Sequence, residues 1–172
     1  RLIYQGVSRL LPQSDERRLV VDIGGRSTEM ILGRNFNAKV MDSFRLGSVA
    51  WSAKYFPDNV FSAQAFETAE VAAKAVLDEA LDIFPRDQWD VAYGSSGTVG
   101  AISDVLLANG RDTDTITRES LGWLKDKLIK AQTVDNLRLE GIKDERKQVI
   151  GGGLSVLQAV FDLFDSEHMI PA

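Results

Sequence analysis

Two glycine-bearing turns hold the residues best suited to chemistry. The first lies in Val20-Val21-Asp22-Ile23-Gly24-Gly25-Arg26-Ser27-Thr28-Glu29. A carboxylate closing an apolar run is costly there unless it has a use, and its most direct use is to hold a divalent cation, itself or through water. Paired glycines let backbone N–H groups approach an anion without interference from a Cβ. Ser27 and Thr28 add hydroxyl donors, and Glu29 returns a second carboxylate one hairpin later. Phosphate, a cation and an attacking water could all be organised by this string. It is equally a sound hairpin turn, and spacing alone does not decide between the two. The second turn, Gly94-Ser95-Ser96-Gly97-Thr98, falls between an apolar run and a helical pattern. Free N–H groups and the positive end of a helix attract anions there, although Ser and Thr are also ordinary helix caps.

The elements that must position these turns follow from hydrophobic period. Leu2, Ile3, Val7, Leu10 and Leu11 predict an opening helix, broken at Pro12-Gln13-Ser14-Asp15. Leu19–Ile23, Thr28–Leu32 and Lys39–Leu46 read as three strands of a meander, with a turn over Gly33–Asn37. A long amphipathic helix capped by Ser62 carries Phe66, Ala69, Ala73, Val76, Leu77, Ala80, Leu81 and Phe84 on one side and ends at Pro85. Trp89–Tyr93 is a fourth strand and Val99–Leu107 a helix stopped at Asn109-Gly110. Arg118–Ala131 is a helix capped by Thr117, a last apolar helix runs to about Phe164, and His168–Pro171 begins a fifth strand. The order β-β-β-α-β-α-α-α-β is an α/β layout. Because both glycine turns follow strands, a shared parallel sheet would face them into one crevice.

The chain has 172 residues, 44% of them hydrophobic and 26% charged. That is the balance of one globular domain and excludes fibrous or disordered classes. The longest apolar candidate, 149–164, contains Gln158 and Asp162 and falls short of the ~20 residues of a membrane span. With no cysteine, a disulfide framework, a thiolate zinc site and a cysteine nucleophile are excluded, and a cytoplasmic location is expected. One histidine, His168, rules out a histidine-rich metal site within the chain and reads as an edge residue. A net charge of −5 and three scattered tryptophans give no field or stacking platform for nucleic acid.

The residues also carry a resemblance. Asp22–Glu29 resembles the second phosphate motif of the exopolyphosphatase / guanosine pentaphosphate phosphohydrolase family, within the actin–hexokinase–Hsp70 superfamily. Arg1-Leu2-Ile3-Tyr4-Gln5-Gly6-Val7 resembles the helix after that family's catalytic Glu, and Arg45-Leu46-Gly47-Ser48-Val49 the end of its third strand. Gly94–Thr98 resembles its Gly-x-Ser-Gly-Thr turn. Glu145-Arg146-Lys147 with Gly153-Leu154 and Val156-Leu157 resembles its late Glu-Arg and Gly-Leu segment. These motifs keep their order over nearly the whole chain, which is far more specific than any one of them.

The resemblance implies a ribonuclease H-like, actin-like ATPase lobe: a mixed sheet of about five strands flanked by helices. It implies hydrolysis of terminal phosphate from polyphosphate or pppGpp with Mg2+ and water. Carried over by position, Asp22 and Glu29 would be catalytic and metal-organising carboxylates. Gly24, Gly25, Arg26, Ser27 and Thr28 would cradle phosphate, and Ser96, Gly97 and Thr98 would line the opposite wall. Phosphoryl transfer is mainly positioning and charge neutralisation, which such a set supplies. The family's general-base Glu lies just before the segment matching Arg1, its first phosphate motif lies earlier, and a further Asp-Gly segment lies beyond Ala172. Residues 1–172 are therefore expected to be one domain, the second lobe of a two-lobed core, with the N-terminal lobe as its partner; a homodimer stays open.

One departure is Arg26, where the family usually has a third glycine. A positive φ there would cost an arginine ~1 kcal/mol, or its guanidinium could add a phosphate contact. Two other classes remain at this level: an ATP-binding lobe of a superfamily kinase or ATPase, which would show an adenosine pocket, and a non-catalytic binding module on the same fold, which Arg26 would favour. Glu145, Arg146 and Lys147 read most simply as a solvated helix start, and Gly151-Gly152-Gly153 as close backbone approach in helix packing.

Overall fold

A computed structural model describes residues 2–11, 15–111 and 114–172. In chain order the elements are α1 (Leu2–Leu10), β1 (Arg17–Ile23), β2 (Thr28–Arg34), β3 (Asn37–Phe44), α2 (Ser48–Tyr55), α3 (Ala63–Leu77) and α4 (Ala80–Ile83). They continue as β4 (Val91–Ser95), α5 (Gly97–Ala108), β5 (Ile116–Thr117), α6 (Arg118–Ala131), α7 (Asp144–Lys147), α8 (Ile150–Leu163) and β6 (His168–Pro171). Arg1 and the Pro12–Ser14 part of the expected break lie outside the described residues.

The strands form one mixed six-stranded sheet in the order β3-β2-β1-β4-β6-β5. The expected meander is present: β1 pairs antiparallel with β2 and β2 with β3. β4 then lies parallel to β1, and β6 parallel to β4. The expected count of about five strands becomes six because Ile116 and Thr117 pair antiparallel with Met169 and His168. A two-residue strand exists only through its partner, so no local pattern announces it. The turn between β2 and β3 narrows to Asn35-Phe36, and the φ of 51° at Asn35 is the left-handed conformation that asparagine tolerates.

Alternation along β1 sorts its side chains. Leu19, Val21 and Ile23 join the main core with residues of α2, α3, α5, α6 and α8. Val20 joins a smaller cluster with Tyr4 and Val7 of α1, Ile31 of β2 and Tyr93 of β4. Helix α8 runs through the main core, buried at every position from Ile150 to Phe161 and packed against α2, α3, α5 and α6.

Two helix details differ from the sequence reading. The long helix after Ser62 breaks at Asp78-Glu79 into α3 and α4, although its apolar period continues across the break. Helix α2 has no counterpart in that reading: its N-cap is Gly47, with no side-chain cap. It is held instead by tertiary bonds. Trp51 Nε1 donates to the Ala69 carbonyl at 2.9 Å, and Ser52 Oγ accepts from the Gly152 N–H at 2.9 Å. A Cβ on Gly152 would overlap the Ser48 carbonyl and the Ser52 amide, so the glycine run in α8 serves close helix approach, as the sequence suggests. The expected caps are in place: Ser62 accepts from Ala65 N at 3.0 Å and Thr117 from Ser120 N at 3.1 Å. Gly110, at φ 68°, follows the end of α5.

Candidate active site

The register of β1 and β2 sets Asp22 directly opposite Glu29, and the parallel pairing places Ser95 of β4 on the other side of Asp22. Both carboxylates share the sheet face of Val20 and Ile31, just beyond the small cluster under α1. Burial pushes the Asp22 carboxyl above its ordinary value, and the charge of Glu29 pushes it further. Two like charges across a strand pair repel, and a divalent cation between them would remove that repulsion. Among the described residues no third His, Cys, Asp or Glu joins the pair. Two carboxylates fit Mg2+, which keeps several waters and takes its other oxygens from substrate phosphate.

The turn after β1 is closed by a hydrogen bond from Gly24 N–H to the Ser27 carbonyl at 2.9 Å. The Gly24 carbonyl accepts from Ser48 N at 2.9 Å, and that of Gly25 from Val49 N at 2.9 Å and Ala50 N at 3.0 Å. The first turn of α2 is therefore seated on this loop. Close approach, not left-handed backbone, explains the glycines: neither Gly24 nor Gly25 has a positive φ. A Cβ on Gly24 would lie 3.0 Å from the Ser27 carbonyl oxygen and one on Gly25 3.2 Å from Val49 Cγ2, and on the facing side a Cβ on Gly47 would lie 2.5 Å from the Gly25 carbonyl carbon. The Gly25 and Arg26 N–H groups find no backbone or side-chain acceptor among the described residues and stay available to a ligand. Arg26 is exposed and its φ is not positive, so the backbone penalty considered for it does not arise.

Thr28 needs correction. Its side chain is fully buried and its Oγ1 donates to the Leu46 carbonyl at 2.9 Å, so the hydroxyl braces the β2–β3 end and does not face a phosphate.

The second turn stands beside the first because β4 is parallel to β1. Ser96 holds φ 115° and ψ 169°, a region essentially reserved for glycine. That conformation turns the chain from β4 into α5, where the Ser96 carbonyl accepts from Gly100 N at 3.0 Å. The Gly97 and Thr98 N–H groups have no acceptor among the described residues. Gly97 lies under the guanidinium of Arg146, and a Cβ there would overlap it. Gly24, Gly25, Ser96, Gly97, Thr98 and Arg146 line one cleft of about 320 Å3. Asp22 and Glu29 are not in its lining: Ile23, which is, points to the helical face of the sheet, and the two carboxylates lie on the other face one residue from the turn. Arg146, in α7, is the residue the composition of its segment concealed, since Asp144-Glu145-Arg146-Lys147 reads as a solvated charge run. Its order among the late motifs was the available signal.

Fold and site together define an α/β domain with two glycine-bearing turns side by side at the ends of two parallel strands. The chain belongs to the Ppx/GppA phosphatase family, whose profile matches residues 1–172. It is 41% identical over 167 residues to a guanosine-5'-triphosphate,3'-diphosphate pyrophosphatase of Vibrio atlanticus (strain LGP32), covering 97% of this chain and 33% of that protein. The protein of the same description from Photobacterium profundum is 38% identical over 169 residues, covering 98% of this chain and 34% of that protein. The chain thus spans about a third of the length of the curated relatives it matches. Among solved structures, an Aquifex aeolicus member of the Ppx/GppA family aligns with TM-score 0.81 at 20% identity, over 98% of this chain and 56% of that one. An exopolyphosphatase from Cytophaga hutchinsonii aligns with TM-score 0.78 at 19% identity, over 98% of this chain and 57% of that one. Among the described residues no helix is long and apolar enough to cross a membrane.

Proposed function

We propose that this chain supplies the phosphate-holding half of a phosphoanhydride hydrolase that removes the terminal phosphate of pppGpp or of inorganic polyphosphate. The observation that carries the proposal is the cleft in which two strand-end turns and Arg146 converge, at the end of the strand pair that carries Asp22 and Glu29. Amides of Gly25, Gly97 and Thr98 donate to phosphate oxygens, and Arg146 neutralises charge on the chain. Asp22 and Glu29 would hold Mg2+, which when bound polarises a phosphoryl oxygen. In the reaction a water oxygen forms the new P–O bond as the bridging P–O bond breaks. The electron pair leaves with the shortened phosphate chain, and the water proton passes to a carboxylate of the partner lobe. The relatives' description favours pppGpp over polyphosphate. We assign activation of the water to a partner lobe, so the 172 residues alone should release little phosphate.

The test is phosphate release by the full-length protein. Asp22→Ala and Glu29→Ala should each lower kcat by about a hundredfold or more, the scale of a lost acid–base or metal-organising group. Near-normal kcat in both variants overturns the assignment.

A further inference from the structure

We propose that a second pocket, which adjoins the phosphate cleft at Gly97 and Arg146, receives the guanine base of the nucleotide; the proposal rests on the phosphatase reading above. The pocket has a volume of about 210 Å3 and shares Gly97 and Arg146 with the cleft. Its size suits one ring system and not a whole nucleotide, for which pockets run to about 300 Å3 or more. Phosphates in the cleft and a base beyond Arg146 would together fill both spaces.

The pocket is built from both sides. Gly97, Gly100, Ala101 and Asp104 follow one face of α5 at helical spacing. Gly97 is covered by Arg146, while Gly100 and Ala101 give a floor with almost no side chain, and a Cβ on Gly100 would meet nothing within 4 Å. A planar ring can lie there. The floor ends in a carboxylate. The opposite wall is the loop that brings Lys143, and it is pinned to α5. Gly141, at φ 85°, packs so closely that a Cβ would lie 2.9 Å from the Asp104 carbonyl oxygen. Asn109 Nδ2 donates both to the Val105 carbonyl at 2.7 Å and to the Glu140 carbonyl at 3.0 Å, tying the loop to the end of α5.

The donor and acceptor pattern selects the base. Guanine offers two adjacent donors, N1–H and the 2-amino group, which an ionised carboxylate accepts together; its O6 and N7 accept from a lysine. Asp104 and Lys143 supply that acceptor and that donor, and neither makes an ion pair among the described residues. Adenine presents an amino donor where guanine has O6, and no donor at N1. Inorganic polyphosphate has no base at all, so this pocket separates the two candidate substrates.

The experiment compares steady-state hydrolysis of pppGpp and of inorganic tripolyphosphate by the full-length protein and by Asp104→Asn. The ratio of kcat/KM for pppGpp to kcat/KM for tripolyphosphate should fall about tenfold or more, mainly through KM. The xanthine counterpart of pppGpp should gain on Asp104→Asn, because asparagine can donate to the 2-oxo group. Lys143→Ala should lower the same ratio. An unchanged ratio in both variants, with their circular dichroism intact, overturns the proposal, as does an equal fall on the two substrates. Absence of phosphate release from either substrate by the wild-type protein overturns the phosphatase reading and this inference with it.

Discussion

On one face of the sheet, five helices bury Leu19, Val21 and Ile23 in a continuous core. On the other, α1 alone among the described residues covers Val20 and Ile31 and leaves Asp22 and Glu29 half-buried beyond its edge. The same strand therefore feeds two environments with alternate residues. Val21 and Ile23 stabilise the fold; Asp22, between them in sequence, works against it, because burial and the Glu29 charge both disfavour its ionised form. Proteins place such unfavourable groups where a ligand can repay them. The contrast separates the side of the sheet that the fold depends on from the side that carries a carboxylate unfavourable to it.

Substitutions can test that contrast. The largest stability effect belongs to the helical face: Phe161→Ala, at a fully buried position of α8, should cost about 3–5 kcal/mol in urea unfolding. A loss well below that range would mean that the core around α8 closes over the gap. Asp22→Asn should act in the opposite direction. Because the folded-state pKa is raised, ionisation of Asp22 disfavours the fold as pH rises above the ordinary value of 3.8. In metal-free buffer at pH 7 the asparagine variant should therefore unfold at higher urea than the parent, while losing activity. The gain should vanish below pH 3.8, where the carboxyl is neutral in both states. A lower midpoint at pH 7 would break the comparison. The smallest effect lies at the surface, where Arg17 N–H and guanidinium hold Asp90 at 2.8 and 2.9 Å and lower its carboxyl to about 2. Its contribution is present above the ordinary value of 3.8 and is lost as pH falls toward 2. Asp90→Asn should barely move the midpoint at neutral pH, and less still in high salt.

Side-chain period and cap chemistry made much of this fold readable. Ser62 and Thr117 cap the helices predicted from them, and the Asp22–Glu29 string forms the β1–β2 hairpin with both carboxylates on one face. What escaped detection depends on partners far away in sequence. Helix α2 has no polar cap because its amides bond to Gly24 and Gly25 carbonyls. Strand β5 needs β6 to exist. Thr28 resembles a phosphate donor in the sequence because its acceptor, the Leu46 carbonyl, lies 18 residues on. Arg146 reads as solvated because only the folded chain brings it over Gly97, 49 positions earlier. The break at Asp78-Glu79 leaves the apolar period intact and has no sequence mark that we can name.

The glycines at the start of α8 carry a consequence for the order of folding. Three adjacent glycines forfeit about 2–3 kcal/mol of helix propensity relative to alanine, and starting a helix is already its least favourable step. The first turn of this helix gains little from its own propensity. Its hold in the folded chain comes from α2, where the Gly152 N–H donates to Ser52 Oγ. We expect the start of this segment, at the centre of the finished core, to order late in assembly, with a folding φ-value near zero for Ser52→Ala, which removes the Gly152 acceptor.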